Sequence, residues 1–518
     1  MFARASDLSA LARVVALLVL VALLALSAIA CGHAPPPAPP PPGRSSATWG
    51  ARSHDAKPGA VVGEYDFTWR AEPGRGGGGV LVVEARFGAL AGGTFRIERG
   101  AERFVRDAAA SPDRERPSFV PMTPSGDGVF QAPACARGPC RVRYTFMLGE
   151  AARRLDEVDS ASDEGELVEA TPSTFTLVPA LADRELRIRF RVHMPEGQRF
   201  VTGVFRSVEA NDAWDISLDD LWSSPYSAFG PLRTHTIEIG GAKVELALGP
   251  GKIAATDAEL VTWTTNAARA VTGYFGKFPM RSALVLVVVA DGRWVGGGRT
   301  LAGGGGTVFM RLGEGATKRQ LDEDWVLVHE MIHLTIPSLP PQLIWAEEGI
   351  ATYVEPFARV RAGLLSESAA WGSLFDGLPN GLPEPGDRGL DHTNTWGRTY
   401  WGGALFWLLA DVELRKRTNN RFGLEHAMRG VLAAGGNNAS RWSIEDTLAA
   451  GDKATGTTVL RDLHAAMGSS PHPVDLAALA KSLGVEARRG RAKFDDAAPL
   501  AAVRKAITNG TDPATLGR

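Results

Sequence analysis

The spacing of hydrophobic and polar positions changes about half-way along the chain. Between about residues 63 and 248, short stretches alternate apolar with polar residues. This alternation predicts β-strands, because successive side chains of a strand point to opposite faces. The clearest predicted strands are residues 80–86, 94–99, 141–147, 186–193, 235–239 and 243–248. Turn residues separate them, so we expect a β-sandwich.

Helical spacing predominates after this part. Thr256 and Glu259 form the sequence signature of a capping box, and apolar residues then recur every three or four positions as far as Tyr274. The continuous apolar run at 283–290 predicts a strand that is covered on both faces. Near the C-terminus, helices are predicted at 442–448, 459–467 and 476–483, with a final helix ending near Ile507.

The N-terminus has a third pattern, that of a secretory signal. Arg4 and Arg13 precede an apolar run at residues 14–30, and Ala-Ile-Ala-Cys at 28–31 resembles a bacterial lipobox. Cleavage there would leave Cys31 as a lipidated N-terminus, whereas an uncleaved membrane anchor is the alternative. Gly32 stands where an Asp often retains lipoproteins in the inner membrane. We therefore expect a lipid anchor in the bacterial cell envelope, facing the periplasm and in the outer membrane.

Composition indicates a globular protein, and the cysteines agree with export. The chain has 518 residues, 44% of them hydrophobic, and a formal charge of −2, so two or three domains are expected and nucleic acid is not an expected partner. Cys135 and Cys140 flank a Gly-Pro turn and are predicted to form a disulfide in an oxidising compartment.

The acidic stretch at 156–169 lacks the spacing of a calcium loop and is predicted to be a solvated loop.

The most informative chemistry lies in His329-Glu330-Met331-Ile332-His333. On a helix the two histidines lie one turn apart on one face, where both rings can reach one metal ion. Glu330 is offset from that line, in the position of a general base for a water that the metal activates. A surface helix is the alternative for such a pentapeptide taken alone.

A second helix provides the third ligand of a His₂Glu site. Pro337, Pro340 and Pro341 end the first helix, and the second is predicted to run to about residue 354, before Pro356. This helix, turn and helix would fold a carboxylate back over the histidines. Glu347 and Glu348 are both candidates.

These segments resemble the gluzincin metallopeptidases of clan MA, in which H-E-x-x-H is followed by a ligand Glu within E-G-x-A-x-Y. Fourteen residues separate His333 from Glu348, about one helical turn fewer than in the aminopeptidase N family. Glu348 is favoured over Glu347 because Gly-x-Ala-x-Tyr follows it. The resemblance implies that His329, His333 and Glu348 bind Zn²⁺. Glu355 lies nearly on the same helical face and is predicted to accept the remaining N–H of a ligand histidine.

The segment at 398–415 resembles the Tyr-x-x-Gly helix of gluzincins, most closely that of the glycyl aminopeptidase family. The resemblance implies that Tyr400 donates a hydrogen bond to the tetrahedral oxyanion. The alternative is a core tyrosine at the start of a helix.

Residues 296–309 are rich in glycine and are predicted to form one edge strand that pairs with the substrate backbone. Gly303, Gly304, Gly305 and Gly306 are the candidate substrate-binding residues, and a flexible loop is the alternative. Aminopeptidase N relatives carry an acidic residue here that grips the substrate amine. Residues 296–311 contain no acid, which leaves the choice between aminopeptidase and endopeptidase open.

The predicted fold class is multidomain α+β, with an N-terminal β-sandwich, a thermolysin-like gluzincin domain and a mainly helical C-terminal part. The predicted segments are a signal at 1–31, a proline-rich linker at 32–58 and domains at 59–249, 250–439 and 440–518. The predicted function is an exported, membrane-tethered zinc metallopeptidase that hydrolyses peptides or proteins, with Glu330 as base and Tyr400 as oxyanion donor. An inactive zinc-containing lipoprotein that binds peptides or envelope partners is the alternative.

Overall fold

The protein is described from a computed structural model, which covers residues 59–71, 78–88, 92–157 and 159–511. The predicted signal, Cys31 and the proline-rich linker lie outside the described residues. Within these ranges, every helix is too short or too polar to cross a membrane.

Three β-sheets form the first part of the described chain. The largest has seven strands in the order β14-β12-β1-β2-β8-β4-β5. Its strands in chain order are β1 (Val61–Ala71), β2 (Gly79–Phe87), β4 (Val105–Pro112), β5 (Val120–Pro121), β8 (Cys140–Phe146), β12 (Arg187–His193) and β14 (Trp214–Ser217). Inward positions of β2 alternate with more exposed ones, as the sequence pattern predicts.

Two smaller sheets pack beside it. One contains β3 (Thr94–Arg96), β6 (Thr123–Pro124), β7 (Val129–Gln131) and β11 (Val178–Pro179), and the other β9 (Ala161–Glu164), β10 (Leu167–Ala170), β13 (Arg199–Thr202) and β15 (Ser227–Gly230). Two short helices, α1 (Leu148–Leu155) and α2 (Pro172–Phe175), connect strands of these sheets. Aromatic rings meeting edge to face, such as Phe67 and Phe175, fill the core between them.

The acidic stretch predicted to be a loop is instead the hairpin of β9 and β10. Leu167, Val168 and Ala170 are buried, and Glu169 is buried with them. The prediction was wrong because the charged residues concealed a short apolar strand whose burial in the sheet stabilises the hairpin.

A five-stranded mixed sheet forms the centre, in the order β16-β17-β18-β20-β19. Its strands are β16 (Arg233–Ile239), β17 (Ala242–Leu248), β18 (Ser282–Ala290), β19 (Val295–Ala302) and β20 (Gly306–Gly313). β17, β18 and β20 are parallel, and β16 and β19 are antiparallel edges. The apolar run of β18 is buried on both faces, as predicted: Val285 faces the helices and Leu286 faces the N-terminal sheets.

Strands β16 and β17, which the sequence pattern placed in the β-sandwich, belong to this central sheet. β17 pairs in parallel with β18, and helix α3 (Asp257–Phe275) makes the crossover between them. The predicted boundary at 249 therefore divides one sheet. The period of two identifies a strand but not its partner, which is why the sequence pattern misplaced the boundary.

Helices make up most of the remaining chain. They are α4 (Lys318–Glu323), α5 (Val326–His333), α6 (Ile344–Arg361), α7 (Glu367–Gly377), α8 (Gly403–Arg417), α9 (Leu424–Ala433), α10 (Ile444–Thr455), α11 (Val459–Met467), α12 (Leu476–Leu483) and α13 (Ala501–Asn509). The Thr256 capping box of α3 is present, and α11 and α12 have the predicted limits. A hairpin of β21 (Val485–Arg488) and β22 (Arg491–Phe494) was not predicted.

Helix α6 continues through Pro356, contrary to the predicted end near residue 354. Proline inside a helix removes one backbone hydrogen bond and costs about 3 kcal/mol. Phe357 and Ala358 beyond it are buried, so their packing offsets that cost.

Candidate active site and metal centre

The two histidines and one glutamate meet in a compact triangle. His329 Nε2 lies 3.2 Å from Glu348 Oε2, and His333 Nε2 lies 3.4 Å from the same oxygen. The three ligand atoms all lie within 4.8 Å of one another. Three atoms bound tetrahedrally to zinc at about 2.0–2.2 Å stand about 3.3–3.6 Å apart. The observed spacing therefore fits a zinc ion.

Two helices and the turn between them position the triangle. The histidines are one turn apart on α5, and Glu348 lies in the first part of α6. Glu347 does not approach the histidines in this way: its Oε1 accepts the N–H of Leu339, at 2.7 Å. Glu348 is therefore the glutamate of the triangle, whereas Glu347 stabilises the turn between α5 and α6.

Charge is concentrated in this buried cluster. Burial would raise the pKa of Glu348, but the charge of His333 and hydrogen bonds from both histidines hold it far below its usual range. Burial would lower the pKa of His333, but Glu348 raises it to about 9. Strongly shifted pKa values in a buried cluster of this kind are common at functional sites.

Glu330 faces the edge strand β19. Thr300 Oγ1 donates to Glu330 Oε2 at 2.8 Å and also lies 2.8 Å from the Glu330 backbone oxygen. Burial raises the pKa of the Glu330 carboxyl, while the histidine charges oppose that rise. Thr300 was missed by sequence reasoning, although it is the one hydroxyl residue between positions 296 and 306.

Gly298, two residues before Thr300 on β19, leaves room for the Glu330 side chain. A Cβ on Gly298 would lie 2.5 Å from Glu330 Cγ and 2.9 Å from Met310 Sδ. Contacts between carbon atoms are normally about 3.5–4.0 Å. Only glycine therefore allows the strand and the carboxylate to approach this closely.

The glycine-rich segment is a hairpin and not one strand, so the candidate substrate glycines lie elsewhere. Gly303, Gly304 and Gly305 form the turn between β19 and β20, where Gly304 has φ +65°. Gly306 begins β20 beneath Met280 and Leu334. All four are buried, and the nearest neighbours of a Cβ added at any of them are residues outside the triangle. A turn needs positive φ, and the run of glycines was too uniform to show where the chain reverses.

The turn is fixed to the N-terminal sheets by backbone hydrogen bonds. Gly306 N–H donates to Gly203 O at 3.0 Å, and Phe205 N–H donates to Gly304 O at 2.9 Å. A Cβ on Gly305 would lie 1.9 Å from Gly203 O. The edge strand is therefore held in place by a different part of the chain.

Tyr400 lies beside the triangle, next to His329. It belongs to a π-helical turn, Gly397–Gly402, and its ring stacks on the His329 ring with centroids 6.5 Å apart. Burial, followed by the charges of Glu348 and Glu330, raises the pKa of the Tyr400 phenol. The phenol thus stays protonated and able to donate. π-Helical turns occur frequently at functional sites.

Glu355 has a different partner from the predicted histidine. In the described part of the chain it accepts a hydrogen bond from Arg359 Nη1, at 2.9 Å. Arg359 lies one turn further along α6 and offers a full charge, which makes it the stronger donor. Burial raises the pKa of Glu355, and the charges of Arg359 and His329 oppose that rise.

The cysteines agree with the predicted pairing. Cys135 and Cys140 form a disulfide with a Cα–Cα distance of 5.1 Å. Cys135 ends a short 3-10 helix, Pro133–Cys135, and Cys140 begins β8.

The architecture has known counterparts. No family model and no curated protein sequence matches the chain. Among solved structures, it is similar to an aminopeptidase N family protein from Idiomarina loihiensis, with 15% identity, a TM-score of 0.61, and coverage of 82% of this chain and 78% of the other. The chain therefore shares the fold of this aminopeptidase N family protein.

A second neighbour is an M1 zinc metallopeptidase from Deinococcus radiodurans. It has 15% identity and a TM-score of 0.50, and the match covers 80% of this chain and 96% of that chain. A mutant of that protein, solved with a Tyr-Ser-Ala substrate, has the same identity and TM-score. The predicted fold class, α+β with N-terminal sheets and a helical C-terminal part, is confirmed.

Proposed function

We propose that the chain is a zinc-dependent metallopeptidase whose centre is formed by His329, His333 and Glu348. The observation that carries this proposal is the ligand triangle, spaced for zinc, with Glu330 on the same helix as the histidines and Tyr400 next to His329. The fold shared with the aminopeptidase N family protein supports it, as does the Tyr-Ser-Ala substrate of the mutant neighbour. A Zn²⁺ ion held here would supply Lewis acidity for the attack of water on a peptide carbonyl.

The side chains around the triangle have separate roles: Glu330 transfers protons and Tyr400 stabilises the oxyanion. Glu330 takes a proton from the attacking water and passes it to the leaving amine. Its buried carboxyl has a raised pKa, which makes it a stronger base, and Thr300 fixes its orientation. The Tyr400 hydroxyl donates to the oxyanion that develops on the carbonyl oxygen.

The backbone of a peptide substrate would pair with β19, which is an edge strand of the central sheet. Arg299 is the only ionisable residue of β19, and it forms an ion pair with Asp159 at 3.3 Å. The only cation of β19 is therefore already paired, and the strand itself supplies no acid for a free substrate amine. On this basis we propose that the protein accepts N-terminally blocked peptides.

The test is hydrolysis of free and blocked peptide libraries by the purified protein, with and without added Zn²⁺. Glu330→Gln is the matched control, because it keeps the size of the side chain and removes the base. Zinc-dependent cleavage that disappears in the variant supports the peptidase. Stoichiometric zinc without cleavage of any peptide would contradict it and favour the inactive peptide-binding lipoprotein.

We also propose that the protein is exported and held on the periplasmic side of the cell envelope by a lipid on Cys31. The lipobox-like sequence supports the anchor, and the disulfide between Cys135 and Cys140 suits an oxidising compartment. Metabolic labelling with a radioactive fatty acid should mark the protein and fail to mark Cys31→Ala. Release of the unlabelled variant from the membrane fraction is expected, whereas equal membrane retention would contradict the anchor.

A further inference from the structure

Two tryptophans stand exposed at the candidate active site. In the described part of the chain, Trp325 is 40% exposed and Trp396 is 49% exposed. Trp294, just before β19, is also exposed, whereas Trp371 and Trp407 are fully buried. A large apolar ring that is left half in water commonly marks a binding surface.

The two rings have matching positions. Trp325 lies four residues before His329, and the ring centroids are 5.6 Å apart, edge to face. Trp396 lies four residues before Tyr400, and those centroids are 6.4 Å apart at a tilt of 34°. Residues four apart on a helix share a face, so each tryptophan extends the surface of a site residue towards solvent.

Stacking between His329 and Tyr400 joins the two pairs into one surface. We call the four rings, Trp325, His329, Tyr400 and Trp396, the aromatic wall. Its inner rings belong to the proposed metal ligands and oxyanion donor. Its outer rings flank them on both sides.

A peptide whose carbonyl reached Tyr400 would place its neighbouring side chains against this wall. Indole faces bind aromatic and bulky apolar side chains by stacking and by removing apolar surface from water. Small side chains would leave the rings uncovered. The wall is thus suited to bulky apolar residues beside the scissile bond.

We propose that Trp325 and Trp396 form the side-chain subsites of the enzyme, and that its substrates carry an aromatic or bulky apolar residue next to the scissile bond. This inference rests on the proposed peptidase function. It assigns the two tryptophans to specificity, with no part in the transfer of protons.

The test compares one peptide backbone with Phe, Leu, Ala, Lys or Glu placed on either side of a single cleavable bond. The full-length zinc-loaded protein should cleave the Phe and Leu peptides at a higher kcat/KM than the others. Trp325→Ala or Trp396→Ala should lower kcat/KM for the preferred peptide about tenfold, the size expected for one stacked aromatic contact with its buried area. The Ala peptide should change much less, and the Phe variants should restore most of the loss.

Val120→Ala is the control, because Val120 is exposed on β5 in the N-terminal sheets, remote in the fold from the wall. Equal rates for Phe, Ala and Lys peptides would overturn the proposal, and so would a preference for Lys or Glu. Equal losses for every peptide in the tryptophan variants would show a structural role and would also overturn it.

A binding measurement separates this inference from the peptidase function. In Glu330→Gln, the Phe peptide should change tryptophan fluorescence, and adding Trp325→Ala or Trp396→Ala should weaken that binding. Binding of this kind without cleavage by the unmodified protein would keep the aromatic wall and reject the peptidase. Absence of both binding and cleavage would reject both.

Discussion

Gly298→Ala should disable the base while leaving the metal centre intact. The new Cβ would lie 2.5 Å from Glu330 Cγ and 2.9 Å from Met310 Sδ. Relief to an ordinary contact of about 3.5 Å requires a movement of about 1 Å by the strand or the carboxylate. The hydrogen bond from Thr300 to Glu330, now 2.8 Å, must lengthen or bend as a result.

A misplacement of about 1 Å at a catalytic group can cost about 10²-fold in rate. We therefore expect kcat to fall about 100-fold, equivalent to about 2.7 kcal/mol in activation free energy. Zinc content should stay the same, because the close neighbours of the added Cβ are Glu330 and Met310, neither of which belongs to the ligand triangle. Steady-state peptide hydrolysis gives kcat, and atomic absorption gives the zinc content.

Gly297→Ala is the matched control on the same strand. A Cβ there has no atom within 4 Å, so the same chemical change should leave kcat nearly unaltered. Two results would refute the reasoning: activity of Gly298→Ala within about threefold of the unmodified protein, or loss of zinc together with activity, which would indicate general damage to the site.

The other predictions concern ligation, the oxyanion and acid stability. Glu348→Gln should greatly weaken zinc binding in equilibrium dialysis while Glu347→Gln retains it; similar losses in both would contradict the assignment of Glu348. Tyr400→Phe should lower kcat by about 10²–10³ with zinc retained, and unchanged kcat would leave Tyr400 a packing residue. Burial would raise the pKa of Glu425, but Arg415 lowers it from 4.5 to about 2. The stability that this pair contributes is therefore complete above about pH 4.5 and lost as the pH falls towards 2, so Glu425→Gln should flatten thermal unfolding curves against pH in this window.

Patterns with a short range were predicted well from the sequence. The capping box at Thr256 requires only two side chains three residues apart, and the helix at α11 requires only local apolar spacing. The spacing of His329 and His333 is likewise a property of one helix. Because these signals are local, they can be identified from the sequence without knowing the rest of the fold.

Features that depend on distant partners were missed. β17 pairs with β18, which follows it only after the whole of α3, and the turn residue Gly305 is selected by its fit against Gly203. Glu355 lies on the predicted face, but the choice between a histidine and Arg359 is made by three-dimensional distance. Likewise, Thr300 acquires its importance only when β19 is folded beside α5.

The attachment of the β19–β20 turn to the N-terminal sheets limits how this protein can be recombined with its relatives. Gly203 and Gly305 approach so closely that neither side tolerates a side chain opposite the other. A chimera joined between the sheets and the helices would separate two surfaces that were shaped together, and the strand beside Glu330 would lose its support. A chimera that exchanges specificity between such proteins must therefore take the segment around Gly203 and the β19–β20 turn from the same parent.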